Sequence, residues 1–239
     1  MSTARPLRNS FPQLPRTNAQ RARGEDRRAL FLLVSLMFFL ILSAFVTNGR
    51  ISQIVLVISV YPILGIAALE LAAKTGIRRP VALLAGSSGS LMLISIFHPS
   101  RPLLFANWVL LACFLGFVAA VLFSYLDQCG PITNARLHTS VSLYLLIAAF
   151  YYAVFNLLEV THSGSFLENG RPLSEAASPR SLLYFSLVTL TTLGYGDLVP
   201  SSHQARVFAA LESVTGVLYI AITVARLVAA YQKAGAGDS

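Results

Sequence analysis

Six long apolar blocks constrain this chain more than any other feature. They run over residues 30–46, 52–73, 80–97, 102–126, 139–158 and 204–230. A membrane-spanning helix needs roughly 20 mostly apolar residues, and all six qualify. Charge density agrees: 12% of the residues are charged, where a soluble domain carries about a quarter. A seventh apolar stretch, 179–192, is too short to span and falls between the fifth and sixth blocks. The expected fold is an all-α integral membrane protein. It has six transmembrane helices, with a re-entrant short helix and loop between helices five and six. Almost thirty polar residues precede the first block and no small-residue cleavage pattern follows it, so it reads as a retained helix, not a signal peptide.

The net charge of +8 is uneven. Residues 1–28 hold seven arginines (Arg5, Arg8, Arg16, Arg21, Arg23, Arg27, Arg28) against Glu25 and Asp26, which leaves +5. A basic tail beside a membrane helix reads as a cytoplasmic retention signal under the positive-inside rule, and no nucleic-acid partner is expected. Anionic lipid is the partner such a tail suggests. Lys74, Arg78 and Arg79 between spans two and three, and Arg136 between spans four and five, fall on the same side as the tail. Both termini are therefore expected in the cytoplasm of a multi-pass protein of the plasma or inner membrane. Cys113 and Cys129 lie in span four and in a cytoplasmic loop, where thiols stay reduced.

The expected organisation is a disordered basic tail (1–28), a four-helix membrane domain (29–137), a helix–loop–helix unit (138–231) and a short cytoplasmic tail (232–239). Low periodic apolar content argues for disorder in 1–28. Pro62 and Gly65 in span two are tolerated in membrane helices, and Glu70 reads as an interfacial or helix-pairing residue. The run Gly86-Ser87-Ser88-Gly89-Ser90 in span three reads as a close-packing face. Span four, 102–126, contains no Lys or Arg. A voltage sensor needs several charges in the field, each worth about 2.3 kcal/mol per 100 mV. Steep voltage dependence by that route is excluded.

The helix–loop–helix unit contains Thr191-Thr192-Leu193-Gly194-Tyr195-Gly196-Asp197. Glycines flanking a tyrosine suit a backbone whose carbonyls turn toward one axis, because glycine tolerates unusual dihedrals. Ser178 can cap the short helix and Pro179 suits its first position. The negative end of that helix then points into the loop and favours a cation. These residues, and the run from Ser186 to Asp197, resemble the pore module of the potassium channels, including bacterial ion-channel families. The resemblance covers about 139–231, and the filter differs from the common form by Leu193 in place of Val.

The resemblance implies a selectivity filter. The carbonyls of Thr192, Leu193, Gly194 and Tyr195, with the Thr192 hydroxyl, would hold K+, and Gly196 and Asp197 would complete the filter at the outer mouth. Tyr195 would pack against aromatics of the short helix, with Tyr184 and Phe185 as candidates, and Val188 and Thr191 would lie behind the filter. The family often has a Glu where this chain has Val188, so an Asp197–Glu pair is not available here. The last span would be the inner helix. Gly216, twenty residues after Gly196, stands where a hinge glycine is common, close packing being the alternative. Val217, Ile220, Val224 and Val228 fall at helical spacing and would line the cavity.

Glu212 is a carboxylate inside a span, where such groups are costly and mark function. The favoured role is structural, holding the short helix, and a titrating role in gating is the alternative. Arg226 reads as a snorkelling residue or a partner for lipid phosphate. The outer loop around His162, Glu168, Arg171 and Glu175 resembles a channel turret. His98, His138, His162 and His203 are scattered without metal-ligand spacing, and no phosphate-binding glycine loop is present. No enzymatic activity and no cofactor are expected, K+ being the permeant ion. A single filter implies a homotetramer conducting K+ passively. The alternatives are a potassium transporter subunit, against which a single intact filter argues, and a non-conducting membrane adaptor.

Overall fold

The computed structural model describes residues 16–45, 54, 78–98, 100–127, 133–173 and 178–236. Apart from Ile54, the second apolar block with Pro62, Gly65 and Glu70 lies outside the described residues, as do Cys129 and Glu175. The described elements are α1 (Arg16–Phe45), α2 (Arg78–Phe97), α3 (Arg101–Asp127), α4 (Asn134–Thr161), β1 (Phe166–Glu168), β2 (Arg171–Pro172), α5 (Ser178–Leu190), β3 (Leu198–Pro200) and α6 (His203–Ala236).

Three of these helices, α3, α4 and α6, are long and apolar enough to cross a membrane. The apolar part of α2 is shorter, Val81–Phe97. The described residues are predominantly helical.

α1 starts earlier than the composition of the tail suggests. Residues 16–28, expected to be disordered, are helical and continuous with the apolar run that follows. Ala, Gln and Arg, which dominate 19–23, are good helix formers. The acidic residues of this stretch also find partners. Asp26 Oδ1 lies 3.1 Å from His138 Nδ1, and Tyr125 Oη donates to Glu25 Oε2 at 3.4 Å. The start of α1 is thereby fixed to the end of α3 and the beginning of α4.

The main core lies between α3 and α4. Trp108, Ala112, Leu115, Val118 and Leu122 of α3 are buried against Leu143, Leu146, Ala149 and Ala153 of α4. The α3 residues recur every three to four positions, one stripe of a helix. A Cβ on Gly116 would come to 3.3 Å from the Phe150 ring, so glycine permits the close approach of the two helices. In α2 the small-residue face is centred on Ser88, which is fully buried. A Cβ on Gly86 would meet no other described residue within 4 Å. Asn107 Nδ2 reaches Met92 Sδ at 3.3 Å and ties α2 to α3.

One element class is added to the all-α expectation. β1, β2 and β3 form a three-stranded antiparallel sheet in the order β2-β1-β3. Phe166 pairs with Pro200, Leu167 with Val199 and Glu168 with Leu198. The loop before α5 is thus stitched to the segment that follows Asp197. Glu159, at the end of α4, accepts from the backbone N–H of Gly164 at 2.7 Å and of Phe166 at 3.2 Å. The carboxylate fixes the entry to the sheet.

Candidate functional site

The short helix α5 begins at Ser178 with Pro179 in its first turn, as the sequence predicts. It ends with two reaching bonds: Thr192 N–H to Thr189 O at 3.0 Å and Leu193 N–H to Val188 O at 2.9 Å. This is the paired termination that helices use when the next residue is left-handed. That residue is Thr192, with φ 57°. Glycine usually fills the position, and a β-branched residue there is strained.

Left-handed backbone then recurs at every second residue. Gly194 has φ 56° and Gly196 has φ 80°, whereas Leu193 and Tyr195 are not in that region. Alternating handedness turns successive carbonyls toward the same side of the chain. All seven residues from Thr191 to Asp197 are exposed in the single copy. A backbone of this kind can present its carbonyls as uncharged acceptors, the groups that replace the hydration shell of a cation in a selectivity filter.

The loop is held from behind. Tyr184 stacks on Tyr195, with ring centroids 6.4 Å apart and planes 5° apart. Its hydroxyl donates to both Asp197 oxygens, at 3.2 and 3.0 Å. Asn169 N–H donates to Asp197 O at 2.8 Å. Asp197 is therefore an anchor, held at side chain and backbone, and Tyr184 takes the place open for a partner since Val188 offers none. Desolvation, and then the Asp197 carboxylate, push the Tyr184 phenol above 10.0, so it remains a donor. Phe185, the other candidate for packing on Tyr195, faces elsewhere. It meets Phe155 at 5.2 Å and Phe166 at 5.3 Å in a three-ring cluster. Thr191 Oγ1 turns back to Leu187 O at 2.7 Å.

Tyr184→Phe removes both side-chain bonds to Asp197 and leaves the ring stack. If this run conducts K+ as the sequence predicts, the expected result is a several-fold faster decline of conduction under sustained driving force, with unchanged ion preference. Time-resolved flux or single-channel dwell times would show it.

The floor of the site is the carbonyl end of α5, braced by α4 and α6. Tyr144 Oη donates to Leu190 O at 3.3 Å, and Ser213 Oγ donates to Thr189 O at 3.2 Å. Gly216 sits so close that a Cβ there would collide with the Leu190 carbonyl oxygen. Close packing is thus an observed role of Gly216. Glu212 is fully buried and lies 2.5 Å from Ser186 Oγ on α5, the contact that its favoured structural role calls for. Val217, Ile220, Val224 and Val228 are each about half exposed, but so are Val214, Leu218 and Ile222. Exposure in one copy does not single out the predicted stripe. Arg226, read as a snorkelling residue or a partner for lipid phosphate, pairs with Asp127 at 2.8 Å and joins the end of α6 to the end of α3.

Tyr144, Phe155, Phe166, Asn169 and Ser186 were not picked out by the sequence. A hydroxyl on a helix face is the only local signal several of them carry, and it is shared by many residues that do nothing comparable.

Comparison with known proteins agrees with this geometry. A family profile described as ion channel matches residues 139–233. The A-type voltage-gated potassium channel KCND3 of Rattus norvegicus, and its counterparts from Homo sapiens and Mus musculus, are 35% identical over 68 residues. The match covers 28% of this chain and 10% of each relative. The chain thus spans about a tenth of the length of the curated relatives it matches. No solved structure matches. Through residues 139–233, less than half of its length, this chain is similar to an ion-channel family.

Proposed function

We propose that the chain is a potassium-selective channel that conducts K+ passively as a homotetramer. The observation that carries this reading is the alternation of left-handed backbone at Thr192, Gly194 and Gly196 within the Thr-Thr-Leu-Gly-Tyr-Gly-Asp run. The carbonyls of Thr192, Leu193, Gly194 and Tyr195 and the Thr192 hydroxyl act as the K+ sites. They replace water oxygens as the ion passes, and the gradient drives the flow. The negative end of α5 stabilises a cation below the filter.

One copy supplies one loop, and four are needed to surround an ion. Two features support self-assembly. The filter residues are exposed in the single copy, and only 11% of the apolar window of α6 is buried. A ring of four copies covers the loop edges and much of that helix. Both termini are placed in the cytoplasm, with the sheet and filter mouth outside. Steep voltage gating is not part of the reading, because α3 carries no charge between Pro102 and Leu126.

The test is flux from liposomes holding the purified protein, with mass measurement of the assembly in detergent. Tetramers that pass K+ and reject Na+ are expected. Equal passage of Na+ would defeat the selectivity claim, and a stable dimer would defeat the stoichiometry.

A further inference from the structure

The junction of α4, α5 and α6 holds a proton that the filter reading does not use. Ser186 Oγ lies 2.7 Å from Ala148 O on α4 and 2.5 Å from Glu212 Oε1 on α6. All three residues are buried. A serine hydroxyl has a single proton. The Ala148 carbonyl has none to give, so the short contact to it is filled by the serine proton. The contact to Glu212 then needs a proton from the other side. An ionised carboxylate would place two acceptor oxygens face to face.

The surroundings argue the same way. Among the described residues no cation pairs with Glu212. Its second oxygen, Oε2, has no hydrogen-bond partner there. An isolated carboxylate buried without a counter-charge is far costlier than the neutral acid, and such groups take up a proton instead.

We infer that Glu212 is a neutral carboxylic acid that donates to Ser186, and that this Glu212–Ser186–Ala148 chain is the positioning clamp that sets α5 under the filter. The inference rests on the reading of residues 192–197 as a conducting filter. The clamp is one of a series along a single face of α6. Ser213 bonds Thr189 O, and Gly216 abuts Leu190 O. Thr192 follows two residues later. A displacement of α6 at Glu212 is therefore passed to the carbonyl end of α5 and to the strained base of the filter. No proton leaves or enters the pore in this role; the carboxylic acid is fixed hardware.

The test uses the full-length protein in liposomes and two kinds of measurement. Infrared spectra at neutral pH of wild type minus Glu212→Gln should show the carbonyl stretch of a protonated carboxylic acid and no carboxylate band. Flux and thermal stability of Glu212→Gln should stay within about twofold of wild type, because the amide is neutral and still donates to Ser186. Glu212→Ala leaves a void and a lost donor, and Ser186→Ala breaks the chain at its centre. Each should lower flux by about tenfold or more, in line with the loss of a buried hydrogen bond. A carboxylate band that vanishes in Glu212→Gln would overturn the inference. So would a Glu212→Gln protein as impaired as Glu212→Ala. The infrared result does not require conduction, so a silent wild type would count against the channel reading and leave the proton assignment decided.

Discussion

Gly194→Ala is expected to abolish K+ flux while the protein remains folded and assembled. The reason is backbone handedness. Gly194 has φ 56°, and an added Cβ would meet nothing within 4 Å in its own copy. The cost is therefore conformational, not steric. A side chain held in left-handed backbone costs about 1–2 kcal/mol per residue, and the proposed ring of four would repeat it at one level of the pore. The relaxed alternative turns the carbonyl away and deletes an ion site. Flux should fall to the level of empty liposomes, while size-exclusion profile and helical content stay those of wild type. Gly194→Ala protein that still conducts K+ selectively would show that the alternation at Thr192, Gly194 and Gly196 does not form the pathway.

Gly216→Ala is the second large effect and is of the opposite kind. Here the backbone is ordinary helix, and the obstacle is a neighbour. The new Cβ would collide with the Leu190 carbonyl oxygen, with Leu190 Cδ1 at 3.0 Å and its carbonyl carbon at 3.1 Å. A carbonyl at a helix end braced by Tyr144 has little freedom to retreat. Overpacking of this sort costs about 1–3 kcal/mol per site. Relief by backing α6 away would strain the Ser213–Thr189 and Glu212–Ser186 bonds. Thermal unfolding of the assembly should shift to markedly lower temperature, with flux reduced. Gly86→Ala is the matched control. Its Cβ meets nothing within 4 Å, and alanine is the better helix former by about 0.5–1 kcal/mol. It should be neutral or slightly stabilising. Equal damage from both substitutions would locate the problem outside the α5–α6 contact.

Much of this architecture could be read from residue order alone. α3, α4 and α6 appear where the apolar blocks lie, because a membrane helix is specified by local composition and length. α5 was legible for a similar reason: an apolar stretch too short to cross, with Pro179 at its head. The sheet was not legible. Its strands are two or three residues long, too short to show alternation, and their pairing depends on how the chain folds back beside the filter. The same limit hid the ring cluster, since Phe155, Phe166 and Phe185 stand on three different elements. Glu212 lies between these cases. Its cost in a span flagged it, but nothing local pointed to Ser186, 26 residues away. The opposite error arose in the tail. Low periodic apolar content suggested disorder over 1–28, yet intrinsic helix propensity and partners on α3 and α4 make residues 16–28 part of α1.

The join between α3 and α4 has a mechanical consequence. Six residues separate Asp127 from Asn134, a tether that extends about 20–25 Å at most, and α3 lies along α4 of the same copy through Gly116 and Phe150. In the proposed tetramer, α3 of each copy is thus geared to its own quarter of the pore, through α4 to the clamp on α5. Four such levers in a ring would act in parallel, so a stimulus arriving at α3 would be weighed copy by copy before the proposed filters respond together.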